Sequence, residues 1–443
     1  MTVNRPDEAA AGRHIAIVLY GSRGDIQPGI CLALELQHRG HRVSVLAPPE
    51  LVDLARSAGV GQVRPVGLDA HQAWSSDAAV AAQRHRNPLV RLRFTLSTVR
   101  AGFAAFDDAL IAEFLADRAP LADVDLLVVA PLCQERGLAV AERLDVGLVV
   151  LRYGPMSENG VVGSIPGLTA HWSVAWKRRS WRIADRLTWV ATGWHANAFR
   201  RSIGVPRARG PLSRRLGALG VPQLQAYDAE LFPGLADDWG ETKPITGFFD
   251  LPPENRAKLG EMTTDSTDLA NWLVEGEPPL FVTFGSMSPA ARDRGVAVFR
   301  EVARGLGLRC LIAGETTHGV DPDDDGVFAV GAVDHATVLP RCAAAVHHGG
   351  AGTTAASLRA GLPTLVCSVT ADQPFWGQSV RALRVGDTTR LPNLTPASAT
   401  AGLEAVLAAP VRAAAQQLAA RMVQPEKAVA VAADIVEARA RPR

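Results

Sequence analysis

Apolar positions along the chain fall into two series of short unbroken runs separated by helical patterns. In the first series, Ile15 to Tyr20, Val43 to Ala47, Asp125 to Ala130 and Gly147 to Leu151 show no apolar/polar alternation, which is the mark of strands buried on both faces of a parallel sheet. A helix predicted to open near Pro28 carries Ile30, Leu32, Leu34 and Leu36 and stops at Gly40. Another, Glu135 to Leu144, separates the later pair of strands. The second series runs through Leu280 to Phe284, Cys310 to Ala313, Val327 to Val330, Ala343 to Val346 and Thr364 to Cys367, and closes in Ala-rich helices. Repeated βα units predict an α/β fold of two Rossmann-like halves, and ligands of such halves bind beyond the carboxyl ends of the strands, here in the cleft between them.

The domain boundaries expected from this pattern are 1–232, a Pro-rich connector at 233–253, 254–424, and a final segment, 425–443, holding a helix from Glu426 to Arg439. The first ten residues read as a loose end.

At 443 residues, with 47% hydrophobic and 21% charged residues, the chain has the make-up of an ordinary globular protein. The 46 Lys+Arg against 45 Asp+Glu argue against a duplex-binding protein, which needs a clustered excess of cations, so no nucleic-acid partner is expected and any bound phosphate should be small. Five widely spaced cysteines (Cys31, Cys133, Cys310, Cys342, Cys367) lack metal-ligand spacing and read as reduced thiols. No apolar run approaches the roughly 20 residues that span a bilayer, and Ile15 to Leu19 is too short for a signal-peptide core. The expected location is the cytoplasm.

Candidate chemistry concentrates where strands end. His347-His348-Gly349-Gly350-Ala351-Gly352-Thr353-Thr354 joins a strand to an Ala-rich helix. Glycines admit an anion to the backbone, a helix N-terminus offers unpaired N–H groups, and His348 and Thr353 add donors, so a diphosphate is the natural guest. The competing reading is a tight turn with buried histidines. Asp372-Gln373 follows the next strand and offers acceptors and donors suited to sugar hydroxyls, with Phe375 and Trp376 as rings to stack on; taken alone it is a capping turn. Ser286 could add a hydroxyl to a phosphate. Asp25, in Gly21-Ser22-Arg23-Gly24-Asp25 after the first strand, is either a general base or a cap on the helix that follows.

From His171 to Arg201 five tryptophans (172, 176, 181, 189, 194) are interleaved with Lys and Arg. Amphipathic helices packed on the first half, an aromatic wall for a flat apolar acceptor, and a membrane-surface helix all fit that pattern.

Taken in order, Gly-Ser-Arg-Gly-Asp (21–25), Phe-Gly-Ser (284–286), the 347–354 loop and Asp-Gln-Pro-Phe-Trp-Gly (372–377) resemble the motifs of family 1 glycosyltransferases of the GT-B fold. The branch they resemble is the bacterial glycopeptide-antibiotic and sterol-type glucosyltransferases, and the similarity runs from about His14 to Gly386. The resemblance implies two Rossmann-like domains facing each other across a cleft. It implies inverting transfer of a hexose from a UDP- or dTDP-sugar to a hydroxyl of a small apolar acceptor such as a polyketide, macrolide or sterol, with no cofactor and no metal. By the same resemblance Asp25 is the base; His348, Gly349, Gly350, Gly352, Thr353 and Ser286 hold the donor diphosphate; Asp372 and Gln373 hold the sugar; Ala332 and Val333 lie in the nucleobase and ribose region; and Trp172, Trp176 and Trp376 bind acceptor. Ala332 and Ala356 stand where plant members carry a base-stacking tryptophan and a ribose-binding glutamate, which leaves the nucleobase open. The resemblance also implies that the last helix crosses back onto the N-terminal half. A monomer or a homodimer fits equally. A nucleotide-sugar epimerase and a non-catalytic nucleotide-sugar-binding partner of another transferase are the alternatives.

Overall fold

A computed structural model describes residues 12–69, 88–261, 267–285, 287–314, 319–321 and 324–440. The expected loose end at 1–10 and Ser286 lie outside them. Thirteen strands are described: β1 (His14–Val18), β2 (Arg42–Ala47), β3 (Gln62–Pro65), β4 (Leu126–Val129), β5 (Gly147–Arg152), β6 (Gln223–Gln225), β7 (Leu280–Thr283), β8 (Cys310–Ala313), β9 (Gly319–Asp321), β10 (Asp324–Val330), β11 (Ala344–His347), β12 (Thr364–Ser368) and β13 (Gly386–Arg390).

They form two sheets, in the orders β3-β2-β1-β4-β5-β6 and β13-β12-β11-β7-β8-β10-β9. In the first, β3, β2, β1, β4 and β5 pair in parallel. In the second, only the β9–β10 pair is antiparallel. In each sheet the chain starts in the middle, builds one wing and returns to build the other. The strand order therefore reverses between β1 and β4 in the first sheet and between β7 and β11 in the second, and at such points the loops after neighbouring strands diverge and leave a crevice.

The chain divides into two compact units that interleave along the sequence. One comprises Met1–Arg152, Arg186–Leu224 and Val429–Arg443, the other Tyr153–Asp185 and Gln225–Ala428. The simple boundary at 232 is thus replaced by a woven one. Residues 153–185 group with the second unit because their apolar side chains pack there: Trp181 stacks on Phe375 at 5.9 Å and donates its indole N–H to Val162 O, and Trp239 donates to Glu158 O. The Pro-rich stretch 233–253 is not a loose connector, since its Leu235, Trp239 and Phe248 are buried in a core cluster of that same unit. A single helix, Val174–Ser202, replaces the several expected between 171 and 201.

The final helix, Pro425–Arg439, contributes buried Ala432, Ala433 and Val436. From Val429 on it belongs to the first unit, where Arg39 donates to Asp434, Glu437 and Ala430 O, and His41 pairs with Glu437.

Candidate active site

In the second unit the loops after β7 and β11 meet at the strand-order reversal. Gly285, at φ +52°, and Gly350 flank the imidazole of His348: a Cβ on Gly285 would lie 2.7 Å from His348 Cε1, and one on Gly350 would lie 2.7 Å from its Nε2. Glycine is required at both positions because any side chain would displace the ring. Burial lowers the His348 pKa to about 4, so the ring is neutral near pH 7, and its Nδ1 is buried without a hydrogen-bond partner.

Gly350 is also the N-cap of the Ala351–Arg359 helix. No side chain caps that helix and its first turn holds no acidic residue. Its leading N–H groups and the positive end of its dipole are therefore available to an anion, and the Thr353 hydroxyl beside them makes no hydrogen bond among the described residues. A Cβ on exposed Gly352 meets nothing within 4 Å, so packing does not demand a glycine there.

The preceding histidine, His347, is missing from the sequence-based assignment. It is fully buried, and its Nδ1 accepts the Gly349 N–H at 2.9 Å, which leaves the proton on Nε2. Burial, with neighbouring His348 and His335, holds its pKa well below the ordinary value. The bond fixes Gly349 at φ +89° and turns that N–H inward, so Gly349 shapes the loop and does not offer its amide to a phosphate. The H-x-G spacing, with glycine in a left-handed conformation, is the signal that could have found it.

Asp372 is the N-cap of the Gln373–Ala382 helix, and before it Ala371 sits at φ +58°, uncommon for a residue with a Cβ. Gln373 Oε1 accepts the N–H groups of Val369 (2.8 Å) and Thr370 (3.3 Å), so the carboxamide oxygen ties down the loop and its NH2 group is what it can present. Trp376 corrects the sequence reading. It is fully buried among Tyr227, Phe232 and Phe248 and donates its indole N–H to Asp372 Oδ2 at 2.8 Å, so it has no face for an acceptor. Its role as a wall was inferred from ring type; the 3.6-residue period of its helix turns the ring inward.

Ala332, after β10, is exposed, whereas Val333 points into a core cluster and cannot line a ribose. Asp334 next to it caps the following turn and pairs with Arg256 at 2.6 Å. Trp172 and Trp176 are 40% and 56% exposed, edge to face at 6.3 Å, with the Arg179 guanidinium 5.4 Å from the Trp176 ring. They lie in the second unit, although their positions fall within the 1–232 domain expected from the sequence.

In the first unit Asp25 stands in the first turn of the helix after β1, at the other reversal point. Its helix runs Arg23–His38, five residues longer at the start than the Pro28 signal suggested. Ser22 and Asp25 form a capping box in which Asp25 Oδ2 accepts from Ser22 N (2.7 Å) and Ser22 Oγ (2.8 Å). Gly21, at φ +128°, has no Cβ to strike that carboxylate. Oδ1 makes no hydrogen bond among the described residues. Cap and exchangeable acceptor are thus two oxygens of one group. The turn after the neighbouring strand β4, Pro131–Cys133, carries Leu132, 63% exposed, and buried Cys133, whose thiol is pushed up by burial and by the Asp25 charge. The exposed Leu132 was missed in the sequence because the run around it reads as continuous core.

Among the described residues no group of three or more His, Cys, Asp or Glu is arranged to hold a metal ion, no helix is long and apolar enough to cross a membrane, and all five cysteines are free and buried.

Solved glycosyltransferases share this architecture. The glycotransferase of kitacinnamycin superposes with a TM-score of 0.68 at 20% identity over 97% of this chain and 100% of its own. The Streptomyces sp. SF2575 glycosyltransferase SsfS6, complexed with thymidine diphosphate, gives 0.57 at 19% identity over 96% and 99%. The fold is therefore GT-B, with two Rossmann-like domains. Residues 312–438 match the erythromycin biosynthesis protein CIII-like C-terminal domain and residues 15–105 the glycosyltransferase family 28 N-terminal domain. An uncharacterized glycosyltransferase of Mycobacterium tuberculosis is 36% identical over 428 residues, 96% of this chain and 98% of the relative. The O-mycaminosyltylonolide 6-deoxyallosyltransferase of Streptomyces fradiae is 31% identical over 85% of each. The chain belongs to the GT-B glycosyltransferases of the family 1 type and is a sugar-transferring enzyme.

Proposed function

We propose that this enzyme moves a hexose, with inversion, from a UDP- or dTDP-sugar to a hydroxyl of a small apolar natural product such as a polyketide, macrolide or sterol. The observation that carries the reading is the neutral His348, held between two glycines beside an uncapped helix start, an arrangement suited to a diphosphate. In this reading the helix N–H groups, His348 and Thr353 take the charge that develops on the departing diphosphate, while Asp372 and Gln373 orient the hexose. Asp25 Oδ1 accepts the acceptor's proton as its oxygen bonds to the anomeric carbon. The bond from that carbon to the diphosphate oxygen breaks on the opposite face, and the electron pair leaves with the nucleotide. Exposed Leu132, on the turn after the strand that pairs with β1, suits an apolar acceptor on the first unit, and the Trp172–Trp176 pair is an exposed apolar surface of the second. The thymidine diphosphate complex of SsfS6 supports dTDP as a donor nucleotide, and the natural-product relatives support the acceptor class. No metal or cofactor enters this scheme.

The test is incubation with UDP-glucose and dTDP-glucose, with and without a panel of hydroxylated polyketides and sterols, following nucleoside diphosphate release. Acceptor-dependent release supports transfer. A changed sugar on an intact nucleotide would replace it with epimerisation, and tight binding without turnover would replace it with the non-catalytic partner.

A further inference from the structure

Trp376 is the largest side chain of its unit that is completely withdrawn from solvent, yet it carries one polar atom, and that atom is spent on the carboxylate proposed to hold the sugar. The ring is fixed from several sides: Tyr227 at 5.6 Å, Phe232 at 5.5 Å and Phe248 at 5.6 Å. Gly154 lies beside the same pair: a Cβ there would be in ordinary contact with Asp372 Cβ at 3.6 Å and Trp376 Cζ2 at 3.7 Å. Packing accounts for the size of the ring but not for the place of its one donor. An indole placed four residues after the N-cap of its helix reaches back one turn to the cap's Oδ2 at 2.8 Å. A hydrogen bond to an ionised carboxylate in a partly buried setting is strong and directional.

We propose that Trp376 is a positioning residue for donor recognition. Its N–H sets the rotation of the Asp372 carboxylate, and through it the pattern of hexose hydroxyls the enzyme accepts. Gln373 is fixed independently, its oxygen engaged by Val369 and Thr370, so the two polar groups meet the sugar as a rigid pair, one anchored from the core and the other from its own loop. The inference rests on Asp372 touching the sugar.

The experiment measures dissociation constants of UDP, UDP-glucose, dTDP and dTDP-glucose by calorimetry for the wild type, Trp376→Phe and Asp372→Asn. The readout is the ratio of the nucleoside diphosphate constant to that of its glucose conjugate. For the better-bound pair, Trp376→Phe is expected to lower this ratio about tenfold, the size of one hydroxyl-to-carboxylate hydrogen bond lost as Asp372 turns from the sugar, with the free nucleotide bound within about twofold of wild type. Asp372→Asn should lower it at least as far. If Asp372→Asn leaves the ratio unchanged, the sugar-contact reading itself is wrong. If Asp372→Asn lowers the ratio but Trp376→Phe does not, or weakens nucleotide and conjugate equally, Trp376 is a packing residue and the proposal is overturned. Benzothienylalanine at position 376 keeps the bicyclic shape without the N–H. It gives the same readout should the phenylalanine variant not fold.

Discussion

Asp25 shows how one carboxylate can serve structure and chemistry together. Oδ2 closes the turn at Ser22, and an asparagine oxygen can accept the same two hydrogen bonds. Asp25→Asn is therefore expected to fold and bind donor as the wild type does, while transfer falls 10²- to 10⁴-fold, the usual cost of a lost general base. Steady-state rates within about threefold of wild type would remove Asp25 from the mechanism. His348 yields a prediction about acid. Its pKa is about 4 in the folded chain against 6.5 for an ordinary histidine. Between those values the unfolded chain binds more protons, so stability present above pH 6.5 is lost as pH falls toward 4, by at most about 3 kcal/mol. His348→Gln should flatten the dependence of the urea midpoint on pH across that window; an unchanged slope would contradict a buried, neutral ring.

The donor loop makes a prediction at the level of the element. Gly352 lies in the first turn of the Ala351–Arg359 helix with open space where a Cβ would stand. Gly352→Ala should raise stability by about 0.5–1 kcal/mol, since alanine restricts the unfolded chain and favours helix. It should also weaken nucleoside diphosphate binding, because a methyl group would obstruct an anion seated on those N–H groups. A variant that is more stable and binds UDP and dTDP unchanged would show that the diphosphate sits elsewhere.

Elements also mark the limit of what the amino-acid order discloses. The central strands were legible because burial on both faces makes each a continuous apolar run, as in Leu126–Val129. The edge strand Gly386–Arg390, Gly-Asp-Thr-Thr-Arg, was not, because only one side of it is paired and its polar side chains remain half exposed. The first helix was misplaced because Pro28 sits inside it, where the missing N–H leaves the Gly24 carbonyl without its usual helical partner. The Ser22-x-x-Asp25 capping box was the better signal. Of the site segments only 348–350 is loop throughout, since Asp25, Thr353 and Gln373 sit in first helical turns; the roles of His347 and Trp376 depend on which way a buried ring nitrogen points, and no spacing rule encodes that.

At the scale of the molecule, the interleaved units predict that a cut at residue 232 is destructive. Residues 1–232 alone would lack the helix that supplies Ala432, Ala433 and Val436 and three of the four acceptors of Arg39, keeping only Glu35, and would expose Trp181, stripped of Phe375. That fragment should lose cooperative thermal unfolding by near-ultraviolet circular dichroism. Appending residues 425–440 should restore part of it. A fragment that melts as sharply as the whole chain would mean that the final helix is dispensable.

The same weave bears on synthesis. The ribosome must make the whole of Gln225–Ala428 before it reaches Val429, so the earlier sheet waits through roughly two hundred further codons, about 10 to 40 s at ordinary bacterial elongation speeds, with part of its apolar face uncovered. Yield of active enzyme in a heterologous host should accordingly follow chaperone supply and translation speed more closely than the melting temperature of the finished protein.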